Sequence, residues 1–270
     1  MNLFDLTNKT ALITGGGGLL GPKHAEAIIE FGGNVILCDI DKKNVEEKTN
    51  QLNQKYNRNC ASYCIADVCN KESIEEMVNS ISKVDILINN AAKDPKVKKD
   101  GSINTETRFE TMSLDYWKDG LDAIINGTFI CTQIVCNKML QSGGGVVINI
   151  ASDLSVIAPD QRIYRKEGLS ENNQPVKPIT YSAAKYAVVG MTKYLAVYFA
   201  QRNIRVNCLS PTGVFNDHPE DFVKKLSNII PMGRMADIDE YKAAIVFLAS
   251  NASSYMTGHN LIIDGGKSIW

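Results

Sequence analysis

Short apolar runs rich in Val, Ile and Leu alternate along the chain with longer segments whose apolar residues recur at helical spacing. The first pattern is typical of buried strands and the second of amphipathic helices. It predicts strands at residues 10–14, 34–39, 60–67, 84–90, 145–152, 204–210 and 261–264. It predicts helices at residues 22–31, 42–56, 71–81, 113–141, 180–201 and 237–250. Strands and helices in alternation indicate an α/β fold, a parallel sheet covered by helices on both faces.

These strands and their crossovers account for all 270 residues, and no repeat, linker or change in composition marks a second domain. We therefore predict one domain over residues 1–270, with a doubly wound parallel sheet of about seven strands. Two segments exceed normal connection lengths, residues 93–110 and residues 158–178, which we call the insert. Both carry several basic side chains, which are either solvated surface or, since long loops at strand ends often bind ligands, substrate contacts.

Composition and charge narrow the class of protein. The chain is 44% hydrophobic and 22% charged, with a formal net charge of -1, so nothing favours nucleic acid or an anionic membrane as a partner. The beginning of the chain lacks a basic segment followed by an apolar one, and no run approaches the roughly 18 apolar residues of a membrane span. We therefore predict a cytoplasmic protein.

The cysteines, seven in number, fall mostly in predicted strands and helices, without a Cys-x-x-Cys pair and histidine partner. Buried small side chains in a reducing compartment explain them better than zinc or disulfides. We therefore predict no metal site.

The stretch TGGGGLLG at residues 14–21 lies between a predicted strand and a predicted helix. A glycine-rich turn in that place lets backbone N–H groups approach a pyrophosphate, which the helix N-terminus also favours. The glycines fit G-x-G-x-x-G from Gly16, and also T-G-x-x-G-x-x-G from Thr14. The predicted dinucleotide contacts in this turn are Gly15, Gly18, Leu19, Leu20 and Gly21.

Asp39 ends the second strand 18 residues after Gly21, near the spacing at which a carboxylate meets the adenosine ribose hydroxyls. It would repel the 2′-phosphate of NADP, and its neighbours Gly16, Gly17 and Ile40 are not basic. We therefore predict NAD(H), with NADP less favoured. Further predicted contacts along the same edge of the sheet are Ile40, Asp67, Val68, Asn90, Ala91 and Ala92.

The stretch YSAAK places Tyr181 and Lys185 on one face of a helix. A tyrosine is a poor base at neutral pH, but a nearby cation lowers its pKa toward a working value. Ser152, at the end of a strand, can hydrogen-bond a developing oxyanion, and Asn126 can interrupt its long helix and hold a water. Each residue alone is weak evidence, but all four in this order form a specific pattern.

With these residues, the chain resembles the classical branch of the short-chain dehydrogenase/reductase family from end to end. The matching segments are the glycine turn with Asp39, NNAA, INGTF, INIAS, YSAAK, IRVNCLSPTGV and MTGHNLIIDGG. The resemblance implies a single-domain Rossmann fold, NAD-dependent oxidation or reduction at a hydroxyl or carbonyl, and a homotetramer or homodimer.

The resemblance also implies residue roles. Tyr181 would be the acid/base, and Lys185 would lower its pKa and bind the nicotinamide ribose. Ser152 would orient the substrate oxygen, and Asn126 would anchor a water in a proton relay. The nicotinamide carboxamide would meet Pro211, Thr212, Gly213 and Val214.

Three features depart from the family pattern. Thr212 stands where glycine is usual, and Leu19 stands where classical members have a loop glycine, so the glycine turn instead follows the T-G-x-x-G-x-x-G pattern of the extended, sugar-nucleotide branch. The insert makes the interval between Ser152 and Tyr181, 29 residues, longer than in classical members.

Substrate choice is expected to lie in the two long segments and in a mobile lid at residues 213–233. Four basic residues of the insert can hold a phosphate or carboxylate: Arg162, Arg165, Lys166 and Lys177. The glycine turn and the KP-x-x-YS-x-x-K lead-in resemble a subgroup associated with flagellin glycosylation and sialic-acid-like sugars, which implies a sugar, sugar phosphate or sugar nucleotide as substrate. The alternatives are an extended-type sugar-nucleotide epimerase or dehydratase and a non-catalytic dinucleotide-binding regulatory protein.

Overall fold

Parallel strands form one sheet in residues 2–93 and 105–270, the part of the chain that this computed structural model describes. They are β1 (Thr10–Thr14), β2 (Asn34–Asp39), β3 (Ala61–Ile65), β4 (Ile86–Asn89), β5 (Gly145–Ile150), β6 (Ile204–Pro211) and β7 (Asn260–Ile263). Their order is β3-β2-β1-β4-β5-β6-β7, and each neighbouring pair is parallel. The predicted doubly wound α/β fold is confirmed. The strand order reverses between β1 and β4, where such sheets open a crevice at their carboxyl edge.

Helices cover both faces of the sheet. They are α1 (Gly21–Glu30), α2 (Lys42–Tyr56), α3 (Lys71–Ser80), α4 (Leu114–Gln141), α5 (Ile179–Phe199), α6 (Glu220–Ser227) and α7 (Lys242–Ala249). Most bounds agree with the predicted ones to within two residues. The last predicted helix, 237–250, begins later, because Glu240 accepts from the Asp237 backbone N–H at 2.7 Å and holds the preceding residues in a turn.

Alternate residues of the central strands enter two separate apolar layers, as the period of a strand requires. Ala11 and Ile13 of β1 pack with residues of α1, α2 and α7, while Leu12 between them packs with residues of α3, α4 and α5. All three are fully buried. The two layers fix the sheet between its helices and hold the carboxyl ends of β1, β4 and β5 side by side.

Most of the predicted long segment 93–110, residues 94–104, lies outside the described residues. Five of the cysteines are buried and the other two, Cys64 and Cys69, are partly buried. Within residues 2–93 and 105–270, no cluster of His, Cys, Asp and Glu side chains has the arrangement of a metal site. The same residues contain no helix with the length and apolarity that a membrane crossing needs.

Candidate active site

The glycine turn has the backbone of a pyrophosphate cradle. Gly15 adopts a φ of 64°, which favours glycine, and a Cβ on Gly21 would lie 2.4 Å from the Gly15 carbonyl oxygen. The T-G-x-x-G-x-x-G register shares both positions with the classical pattern, whereas the register that starts at Gly16 shares only Gly21. Leu19 has no positive φ and is exposed, so its side chain is accommodated. The turn leads directly into α1, whose N-terminus favours a negatively charged ligand.

Asp39 lies beside this turn at the end of β2. Its Oδ2 accepts from the Gly17 N–H at 2.9 Å and its Oδ1 from the Asp41 N–H at 3.0 Å. A Cβ on Gly17 would lie 3.1 Å from the Val45 nitrogen and 3.2 Å from Asp39 Oδ2. Position 17 therefore has little room for the basic side chain that a 2′-phosphate would require.

The residues after β4 tie the middle of the sheet to the glycine turn. The Asn90 amide donates to the carbonyls of Thr14 at 3.0 Å and Gly15 at 3.1 Å, and Thr14 Oγ1 accepts from the Asn90 and Ala91 N–H groups. Val68 packs closely on α4, since a Cβ on Gly127 would meet its Cγ2 at 2.8 Å. These contacts join the glycine turn to the residues after β4 at one edge of the sheet, and the chemistry of these residues fits a dinucleotide.

Tyr181 and Lys185 lie one turn apart on α5, facing the end of β5. Lys185 is buried, and its Nζ donates to the Ile150 carbonyl at 2.7 Å. The same Nζ lies 5.6 Å from the centre of the Tyr181 ring. Ser152 is buried two residues beyond Ile150. The structure therefore brings together three of the four predicted catalytic residues.

Asn126 lies elsewhere, which corrects the predicted tetrad. Helix α4 continues through it without interruption, and the exposed amide donates to Asp122 Oδ1 at 2.6 Å, one turn earlier. On the inward face, Ile124 is buried in an apolar cluster with Ala151 and Tyr181. Because residues two apart in a helix differ by about 200° in direction, Asn126 cannot share that face.

Of the four predicted anion-binding residues, Lys177 reaches the site. Its Nζ lies 3.9 Å from the centre of the Tyr181 ring. Gln161 fixes the backbone of Lys177, because its side chain donates to the Lys177 carbonyl at 3.1 Å and accepts from the Lys177 N–H at 2.9 Å. Tyr181 therefore has an ammonium group close to its ring and a second one slightly farther away.

The structure does not place the other three basic residues there. The exposed Arg162 pairs with Asp160 at 2.8 Å, and Arg165 pairs with Glu171 at 2.5 Å, both within the insert. The backbone N–H of Lys166 donates to Gln174 as part of the internal folding of the insert. These contacts match the solvated alternative for those residues.

Asp153 is a residue of the site that the sequence did not single out. Its buried carboxylate accepts from Ser152 Oγ, Thr212 Oγ1 and Lys267 Nζ, each at 2.8 Å, and from the Leu154 N–H at 2.8 Å. An acidic residue directly after the predicted Ser152 was the one signal in the sequence, since Lys267 lies 114 residues away.

The predicted nicotinamide segment follows β6 and is fixed from several sides. The Thr212 N–H donates to the Ile263 carbonyl at 3.2 Å, and the buried Tyr241 hydroxyl donates to the Thr212 carbonyl at 3.3 Å. Burial raises the pKa of Tyr241, so this phenol stays a donor. Val214 forms a parallel bridge with Ala236. The Thr212 side chain, unusual at this position, is used as a donor to Asp153.

The insert packs against α6, which lies in the segment predicted to be a lid, residues 213–233. Ile163 is buried with Leu226 in a small apolar cluster, and the Tyr164 and Phe222 rings lie 5.6 Å apart. Lys225 on α6 donates to the Arg165 carbonyl at 2.7 Å. The insert and the helix of the predicted lid, α6, therefore form one packed unit.

Comparison with known proteins agrees with this arrangement. The profile of a family described as enoyl-(acyl carrier protein) reductase matches residues 19–268. An NAD-dependent glycerol dehydrogenase of Listeria innocua is 34% identical over 275 residues, covering 98% of this chain and 96% of that protein.

Two solved structures share the whole fold. A short-chain type dehydrogenase/reductase from Mycobacterium marinum has a TM-score of 0.82 at 29% identity, covering 99% of this chain and 98% of that one. A gluconate 5-dehydrogenase from Burkholderia cenocepacia, in complex with NADP and tartrate, has a TM-score of 0.83 at 25% identity, covering 100% of this chain and 98% of that one.

Proposed function

The chain belongs to the short-chain dehydrogenase/reductase family of oxidoreductases, and on that basis we propose that it oxidises a secondary hydroxyl of a polyol or sugar acid with NAD. The observation that carries this proposal is that two ammonium groups lie near the Tyr181 ring, with Lys177 Nζ at 3.9 Å and Lys185 Nζ at 5.6 Å from its centre. Both cations favour the phenolate, the form that accepts the proton of a substrate hydroxyl.

Three residues have separate roles in the proposed proton transfer. Tyr181 takes the hydroxyl proton during oxidation and returns it during reduction. Lys185, held on the Ile150 carbonyl, stays beside the phenol throughout, and Ser152 orients the reacting oxygen. The glycine turn and the NNAA segment would hold NAD, which would supply the hydride acceptor. The predicted water held by Asn126 is not part of this proposal, because that amide lies on the outer face of α4.

The cofactor choice is the finer part of the proposal. Asp39 supports NAD, because its carboxylate borders the turn and Gly17 leaves little room for a cation to balance a 2′-phosphate. The Listeria relative is named an NAD-dependent glycerol dehydrogenase, whereas the gluconate 5-dehydrogenase was solved in complex with NADP. A direct comparison of NADH and NADPH binding decides between them.

The substrate class rests on Lys177. An ammonium beside the catalytic phenol is placed to bind a carboxylate or phosphate near the reacting carbon by a charge-assisted hydrogen bond. The related gluconate 5-dehydrogenase holds tartrate, a hydroxylated diacid, in its structure. We therefore propose an anionic polyhydroxy substrate. A sugar phosphate or sugar nucleotide of flagellin or surface-glycan synthesis, indicated by the sequence, is a narrower form of this proposal.

We further propose a cytoplasmic homo-oligomer, a dimer or tetramer. Exposed apolar and aromatic residues on the outer face of α5 support a second copy of the chain as partner: Tyr186, Tyr194, Val197 and Tyr198.

The test is a substrate panel followed by nicotinamide absorbance. The panel contains glycerol, D-gluconate, tartrate, sugar phosphates and nucleotide sugars, each with NAD and with NADP. We expect NADH to form with at least one polyhydroxy compound and the Tyr181→Phe variant to lose that activity. Full turnover by the variant would contradict the assigned chemistry.

A further inference from the structure

The Asp153 carboxylate accepts four hydrogen bonds. Oδ1 accepts from Ser152 Oγ and the Leu154 N–H, and Oδ2 accepts from Thr212 Oγ1 and Lys267 Nζ. A carboxylate offers about four acceptor positions, and all are used. The side chains of Asp153 and Lys267 are 5% and 9% exposed, so this ion pair is formed away from water.

Lys267 reaches this position through the last turn of the chain. Two successive glycines after β7, Gly265 and Gly266, adopt φ values of 64° and 88°. Asp264 accepts from the backbone N–H groups of Gly266 at 3.0 Å and Ser268 at 2.7 Å. The turn therefore directs Lys267 back toward the sheet and onto Asp153, although it lies beyond the last strand.

The three side-chain partners of Asp153 come from three parts of the proposed site. Ser152 follows β5 and is proposed to meet the substrate oxygen, Thr212 follows β6 in the proposed nicotinamide segment, and Lys267 belongs to the C-terminal turn. Since the carboxylate of Asp153 has no proton to offer, the Ser152 and Thr212 hydroxyls must donate to it. Each donation holds a hydroxyl oxygen in place. When Ser152 meets a substrate oxygen, its proton turns from Asp153 to that oxygen, while the Leu154 N–H, 3.2 Å away, still holds Ser152 Oγ.

We propose that Asp153, charge-balanced by Lys267, is a positioning residue that holds Ser152 and Thr212 in fixed relation, so that the C-terminal turn is part of the active site. The proposal rests on the function assigned to Ser152 above. Displacement of a catalytic group by about 1 Å can lower a rate about 100-fold, so a fixed Ser152 is of direct value to the reaction. Thr212 contributes through its hydroxyl.

A double-mutant cycle tests the link between Asp153 and Ser152. The kcat is measured for wild type, Asp153→Asn, Ser152→Ala and the double variant, with NAD and glycerol or with the panel compound that is oxidised faster. We expect Asp153→Asn to lower kcat about tenfold or more in the wild-type background and to have little further effect beside Ser152→Ala. Equal effects in both backgrounds would mean a purely structural role and would overturn the proposal.

Milder substitutions distinguish an effect on kcat from a loss of folding. Thr212→Val removes the donating hydroxyl with little change in shape, whereas Thr212→Ser retains it. We expect Val to lower kcat and Ser to leave it near wild type. Lys267→Met should lower kcat, whereas Lys267→Arg, which keeps the positive charge, should retain most of the wild-type kcat. Equal kcat for Thr212→Val and Thr212→Ser would contradict the role of that hydroxyl.

Lys242→Met is the matched control, because it removes a lysine that pairs with Glu26 and Glu30 between α1 and α7, away from the site. It should affect stability but not kcat. Loss of activity in Tyr181→Phe together with an additive cycle would leave the proposed function standing and reject this inference alone. Full activity of Tyr181→Phe would reject the proposed function itself.

Discussion

The Lys177 ammonium lies 3.9 Å from the centre of the Tyr181 ring, although Lys177 precedes the first residue of α5. If it binds an anionic substrate, Lys177→Met will raise the KM for D-gluconate about tenfold or more and change that for glycerol much less. Removing this cation also disfavours the phenolate, so the acid limb of the oxidation profile should move to higher pH. Initial rates across pH with both compounds measure the two effects.

Arg162→Met is the matched control for Lys177, since Arg162 belongs to the same insert but pairs with Asp160 and is exposed. It should leave both KM values near wild type. An equal rise in KM for the neutral and the anionic compound in Lys177→Met would speak against anion binding at Lys177.

Tyr181→Phe removes the proposed acid/base group while it keeps the ring that packs beside Ile124. We expect kcat to fall about 10²–10⁴-fold and NADH binding to change little. Tyr255→Phe, at a fully exposed tyrosine, should have wild-type kcat. Stopped-flow or steady-state nicotinamide absorbance and NADH fluorescence give the two quantities separately.

From the position of Asp39 beside the glycine turn, we predict that the wild-type protein binds NADH more tightly than NADPH. Asp39→Asn removes the negative charge from the proposed ribose site, and we expect NADH affinity to fall about tenfold while NADPH affinity is unchanged or higher. Fluorescence titrations of both nucleotides measure the ratio. Tighter NADPH binding by the wild-type protein would reject the role of Asp39.

His24 makes the stability of the fold sensitive to acid. Burial lowers the pKa of His24 from 6.5 to about 4, so the folded chain favours the neutral imidazole. Between these pH values the unfolded chain binds more protons, and the free energy of unfolding therefore falls as pH falls through this window, by up to about 3 kcal/mol in total.

The comparison of wild type with His24→Leu isolates this effect, because other titrating groups cancel in the difference. Urea unfolding at neutral pH and near pH 4 should show the wild type losing more stability than the variant. An equal loss in both proteins would mean that the buried imidazole does not cause the acid sensitivity.

The outer face of α5 is the expected contact between copies of the chain. Val197 is 81% exposed and Tyr194 is 69% exposed. Val197→Glu should shift the protein toward monomers in analytical ultracentrifugation, because a charge at an apolar contact is costly to desolvate. Asn50→Glu on the exposed side of α2 is the control. A monomeric wild-type protein would contradict this prediction.

Hydrophobic periodicity was sufficient to predict the sheet and most helix bounds, because it records burial directly. The prediction was exact at Thr10–Thr14, whereas the helix bound at residue 237 was wrong because the Glu240 side chain there stabilises a turn. Periodicity describes only the spacing of apolar residues. A hydrogen bond from the backbone to a side chain, such as that between Asp237 and Glu240, does not alter that spacing and so cannot be predicted from it.

The site was predictable only where its residues share an element or follow a strand. Tyr181 and Lys185 share α5, and Ser152 follows β5. The rotation of α4 about its axis decides that Ile124 and not Asn126 faces the site, and that rotation depends on packing with other elements. The contact of Asp153 with Lys267 joins residues distant in sequence, which no local pattern can indicate.

The packing of the insert on the lid has a consequence for specificity engineering. Ile163 and Tyr164 are covered by residues of the lid helix, so replacing the lid alone would leave them without their apolar partners. Residues 158–178 and 213–233 therefore form one exchangeable module. A chimera that takes both segments from the same donor should retain folding, whereas one that takes a single segment combines two surfaces that were not selected to fit each other.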